Sequence, residues 1–132
     1  MFFNRKSKAI KAAKTNLILW AEGSLLLCRD MISDADKQIL ILQYFLGSAT
    51  YVCNAYRISE KDLFKIHQGL MLSNGFTQDD MKKNYNRFLK DSPSKQELEY
   101  FNAGFNNFKK WLVDDESNSA ILLAHLSHLL YS

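Results

Sequence analysis

Proline occurs once in this 132-residue chain, at Pro93, and glycine only five times. All-β domains need far more turn residues than that, so composition points to helix. Cysteine is equally scarce. Cys28 and Cys53 both sit inside apolar segments, where a free thiol behaves as a small hydrophobe, and no disulfide is expected. The five glycines, at 23, 47, 69, 75 and 104, are scattered, so no loop exists to cradle a phosphate. No Ser or Cys stands in a nucleophile elbow or a histidine-paired motif, and Glu97 and Glu99 fall on different faces of one helix. A catalytic site is therefore not expected, nor is any cofactor. Internal repeats and low-complexity segments are absent as well.

The longest apolar run, from Ile39 to Cys53, covers fifteen positions and carries Gln43, whereas a membrane-spanning helix needs about 20 apolar residues. No transmembrane segment is expected. A secretory signal fails because the stretch from Leu17 is broken by Glu22 and Gly23, and Leu27 stands before Cys28 where lipoprotein processing needs a small residue. The expected location is the cytoplasm.

What the chain does hold is ample core material. Hydrophobic residues make up 47% and charged residues 23%, near the globular average, with nine Phe, six Tyr and two Trp. One domain over residues 1–132 would bury roughly two thirds of the surface of the unfolded chain.

Apolar positions at Ile10, Ala13, Leu17, Trp20 or Ala21, Ser24 or Leu25, and Cys28 follow helical spacing through the first segment, Asn4 to Met31, with Gly23-Ser24 a candidate to kink it or split it in two. Ser33 offers an N-cap, and Asp34 and Asp36 suit the first turn of the helix that contains the long apolar run, predicted over about 33–56. Gly47, Ser48 and Ala49 leave a low-relief patch halfway along it, predicted to be the closest helix crossing. On that reading Gly47→Leu would cost about 1–3 kcal/mol. Ser59 with Asp62, Thr77 with Asp80 and Ser94 with Glu97 each read as the start of a further helix. Asn74-Gly75 ends one of these, and Asp91-Ser92-Pro93-Ser94 makes the clearest break. Leu98, Phe101, Phe105, Phe108 and Leu112 form a regular seam, within which Gly104 is expected to sit beside another helix. Ser119 to Tyr131 is the last helix. The fold expected is all-α, a single-domain bundle of five or six helices around the central one.

Three features bear on function. Arg5, Lys6, Lys8, Lys11 and Lys14 crowd residues 1–14 with no acid among them, so the net charge of +3 is a property of the chain's start. Beside Phe2, Phe3 and Ile10 they could contact an anionic surface, a membrane or nucleic acid. His125 and His128 share a helix side, but two imidazoles fix neither coordination number nor geometry, and no metal is expected. The helix pair from Ser59 to Lys90 resembles a helix-turn-helix, yet Asp79 and Asp80 occupy the part that would approach phosphates, so nucleic-acid binding through it is not expected. The final helix carries more leucine than one face can bury. Leu122, Leu126, Leu129 and Leu130 are therefore candidates for a protein interface. The leading expectation is a small non-catalytic interaction or adaptor module, with self-association as a homodimer the simplest outcome; the alternative is a peripheral binder of anionic surfaces through the basic start.

Overall fold

From Gln38 to Phe45 every residue is buried, side after side, which is the pattern of a helix enclosed by its neighbours rather than laid on a surface. That segment lies in α2 (Ala35–Tyr56), the centre of a computed structural model that describes the backbone of residues 2–113 and 116–132 and the side chains of 7–113 and 119–132. Around it pack α1 (Phe2–Leu25), α3 (Glu60–Leu72), α4 (Gln78–Lys90), α5 (Lys95–Val113) and α6 (Glu116–Tyr131). A 3-10 turn at Arg29–Ser33 joins α1 to α2, and no strand occurs among the described residues. The described residues form an all-α bundle of six helices.

The start signals work as local chemistry predicts, with one shift. Thr77 Oγ1 accepts the Asp80 N–H at 3.0 Å while Asp80 Oδ2 accepts the Thr77 N–H at 3.2 Å, a closed capping box for α4. Ser94 and Glu97 make the same reciprocal pair for α5, at 3.1 and 2.7 Å. At α2 the cap is Asp34, whose Oδ1 accepts the Asp36 N–H, and not Ser33. Ser33 is still inside the 3-10 turn, where its hydroxyl bonds back to Asp30. Gly75 adopts φ +105° after α3, the left-handed geometry that glycine tolerates, but the same conformation ends α2 at Arg57 with φ 55°.

α1 continues through Gly23-Ser24 and ends at Leu25, short of the Met31 expected, with a separate 3-10 turn from Arg29. Gly23 makes room for α6, since a Cβ there would stand 2.9 Å from the Leu123 methyl. The closest approach in the fold is between α2 and α5. A Cβ on Gly47 would lie 2.0 Å from the Phe101 carbonyl oxygen, and one on Gly104 would lie 1.7 Å from that of Tyr44. Each helix thus lays a backbone carbonyl into the other's glycine notch.

Ser48 pins this crossing to α1. Its hydroxyl donates to the Gly104 carbonyl at 2.9 Å and accepts the Trp20 indole N–H at 3.0 Å. The Trp20 ring is fully buried against Tyr44, Phe108 and Trp111. Three helices therefore meet at one hydroxyl inside an aromatic cluster.

Candidate functional site

The basic start is helical, and Lys8, Lys11 and Lys14 are exposed on it. The side chains of Arg5 and Lys6 lie outside the described residues. Lys14 borders a groove of about 460 Å3 between α1 and α3, where Lys65 joins it over an apolar floor of Leu17, Ile18, Ile66 and Leu70. Among the described residues no acidic side chain lines that groove.

The leucines of α6 divide in a way that sequence spacing did not foresee. Leu126 and Leu130 are core residues, at 0% and 2% exposure, and Leu122 and Leu129 are half-buried. The reason is that α6 is gripped from two sides, by α1 and α5, so a wide arc of the helix is covered. Its end is fixed too: the Tyr131 hydroxyl donates to the Asp30 carboxylate at 2.8 Å. As an interface set, Leu122, Leu126, Leu129 and Leu130 must be replaced by the outer residues. Those are Ile121, 68% exposed, with Ala120, His128 and Tyr131.

The neighbouring stripe of α1 is apolar as well. Leu19 stands one turn before Gly23, the site where Leu123 docks, and is exposed. Leu26 and Leu27, just beyond the helix, are 68% and 62% exposed. Residues 119–132 contain no charged side chain, and residues 15–28 contain only Glu22. The two helices together therefore present a nearly uncharged face to solvent.

His67 and His125 both have local occupations. His125 Nδ1 accepts from the Asn107 amide, which also donates to the buried Tyr44 hydroxyl at 3.2 Å. Burial, aided by His128 and Lys110, holds the His125 pKa below its ordinary value, which fits a neutral ring that accepts at Nδ1. His67 is fully enclosed; its Nε2 meets the Leu42 carbonyl at 2.9 Å and its Nδ1 the Tyr85 hydroxyl at 2.6 Å. Among the described residues no group of three or more His, Cys, Asp or Glu could hold a metal. The thiols are equally quiet. Burial pushes Cys28 up to about 11 and raises Cys53, so both are protonated at neutral pH and poor nucleophiles.

One site escaped the reading of the sequence. A cleft of about 240 Å3 lies between α2, α3, α4 and the start of α5, walled by Phe64, Phe88 and Phe101 and lined also by Gln43, Arg87 and Glu97. Gln43 interrupts the most apolar run of the chain, which was the available signal. Glu97 showed only as a cap, because helix-start chemistry explains it fully without the cleft. No helix among the described residues is long and apolar enough to cross a membrane. No family model, curated protein or solved structure matches the chain, and its functional reading rests on these surfaces.

Proposed function

We propose that the protein is a non-catalytic interaction module whose working surface is the outer face of α1 and α6, and that a second copy of the chain covers it. The observation that carries this reading is the loss of charge from a solvent-facing surface: Leu19, Leu26, Leu27 and Ile121 are exposed, while Glu22 is the one charged residue in both segments. The cores of protein interfaces are depleted of charge in the same way, and a two-fold pairing lets one patch serve both partners. Protonated, buried thiols and the hydrogen-bonded rings of His67 and His125 support the non-catalytic part.

Light scattering on a sizing column at protein concentrations up to about 1 mM tests this. The expected mass is twice the 15.3 kDa of one chain. A Leu26→Glu, Ile121→Lys double variant should elute as a monomer with an unchanged melting curve, because both side chains are 68% exposed. A wild-type mass that stays at one chain throughout overturns the reading.

A second reading rests on the groove at Lys14 and Lys65. We infer that the exposed Lys8, Lys11 and Lys14 give the start of α1 an affinity for anionic membrane surfaces, with the apolar floor of the groove next to the charges. The protein is expected to float with vesicles that contain phosphatidylserine and to lose that binding by about 0.5 M salt. Reversing Lys8, Lys11 and Lys14 to Glu should abolish it. Equal flotation of variant and parent removes this reading, and salt-sensitive binding to DNA instead of vesicles transfers the surface to nucleic acid.

A further inference from the structure

Gln43 lies in the middle of the most buried helix at 6% exposure, and its amide finds no hydrogen-bonding partner among the described residues. The only side-chain polar atom wholly sealed without a partner among the described residues is Ser24 Oγ, so the Gln43 amide retains contact with the cleft it lines.

Two charged groups share that cleft. Glu97 is nearly buried, its side chain 6% exposed, and one of its oxygens already accepts the Ser94 N–H at 2.7 Å. Arg87 is half-exposed, and its guanidinium stands 3.8 Å from the same carboxylate oxygen. That separation exceeds the ~2.7–2.9 Å of a charge-assisted hydrogen bond, so the pair attracts without being joined. The cleft therefore offers an acceptor-only group, a donor-only group and an amide that is both, set in walls of phenylalanine and leucine.

We propose that this cleft binds a free apolar α-amino acid as its zwitterion, with the ammonium group on Glu97, the carboxylate on Arg87, and Gln43 donating to one and accepting from the other. The placement of charge points to this chemistry. Arg87 answers a carboxylate while Glu97, with Asp91 beside it, answers an ammonium, so a ligand that carries both signs uses all three groups; a simple anion would meet Glu97 and Asp91, and a simple cation would meet Arg87. Size points the same way. Pockets for drug-sized ligands enclose about 300–1,000 Å3. At about 240 Å3 this one admits a metabolite of amino-acid dimensions, and Leu46, Phe64, Phe88 and Phe101 favour an aromatic or branched side chain. The site lies apart from the α1 and α6 face and does not depend on it.

The test is an NMR titration of the full chain, following backbone amides, with phenylalanine and leucine as free amino acids. N-acetylphenylalanine and phenylalaninamide serve as the arms that lack one charge each. Expected are saturable shifts clustered around Gln43, Arg87 and Phe101 with Kd below about 1 mM, and affinity at least ~10-fold weaker for either capped compound. Gln43→Leu and Arg87→Gln should each weaken phenylalanine binding by about 10-fold. Arg87 is half-exposed, so its variant keeps the fold even if the Gln43 variant does not. Absence of saturable shifts up to about 20 mM, equal binding of the capped compounds, or unchanged affinity in Arg87→Gln overturns the proposal.

Discussion

Gly104→Ala is expected to destabilise the protein by about 4 kcal/mol or more, with Gly47→Ala close behind, although alanine is the better helix former. The alanine methyl on residue 104 would lie 1.7 Å from the Tyr44 carbonyl oxygen, and that on residue 47 would lie 2.0 Å from the Phe101 carbonyl. Both obstacles are helical backbone, which cannot swing aside as a side-chain terminus can. Relief requires α2 and α5 to part by on the order of 1.5 Å, a distance at which packing attraction across the seam is largely forfeited. The parting also stretches the 2.9 Å bond from Ser48 to the Gly104 carbonyl and loosens the Trp20 indole that the same hydroxyl holds. For this reason the ~1–3 kcal/mol of ordinary overpacking is too small a figure for Gly47→Leu.

The sign of the effect makes the experiment decisive. Gly69 sits in α3 with nothing within 4 Å of the position its Cβ would take. Gly69→Ala should therefore stabilise by about 0.5–1 kcal/mol through propensity alone. Urea unfolding of the three variants checks the contrast, and a Gly104→Ala protein within about 0.5 kcal/mol of the parent would remove the crossing from its place at the centre of the fold.

That crossing was legible before any coordinates. A glycine, a serine and an alanine in succession amid large apolar residues read as low relief, and Gly104 inside a phenylalanine seam reads as a place where another helix comes close; that the two notches face each other was not legible. Capping was legible for a similar reason: Thr77 with Asp80 and Ser94 with Glu97 act within four residues, where no tertiary information is needed. The failures are all non-local. The breadth of α6 that is covered depends on α1 and α5 holding it from two directions, which leucine spacing within α6 cannot show. Ser33 lost its cap to Asp34 because the preceding residues coil into a 3-10 turn whose shape depends on the exit from α1. The cleft at Gln43 draws residues from four helices and a connection, and its signal in the sequence was one amide in a run of hydrophobes.

His67 stands out in nothing the sequence shows, and its effect is the other large one. Its Nε2–H donates to the Leu42 carbonyl, which leaves Nδ1 to accept from the Tyr85 hydroxyl, with the two rings stacked at an interplanar angle of 19°. One neutral imidazole thereby joins α2, α3 and α4, and complete burial holds its pKa down at about 4, against the ordinary 6.5 of a histidine. The unfolded chain then takes up a proton near pH 6.5 that the folded chain refuses until about pH 4. This contribution to stability is complete above pH 6.5 and drains away as pH falls to about 4, a total of roughly 3 kcal/mol. His125, also held low, adds in the same direction. Asp80, whose carboxyl is held below its usual 3.8, is destabilising only at still lower pH and does not confuse the window. Urea unfolding at pH 7.5 and pH 4.5 should differ by about 2–3 kcal/mol, and His67→Gln, though less stable throughout, should lose most of that difference. An independent reading is the His67 ring resonance by NMR, expected to stay in its neutral position down to about pH 5. A resonance that titrates near pH 6.5, or a parent protein equally stable at both pH values, contradicts a sealed neutral imidazole at the junction of the three helices.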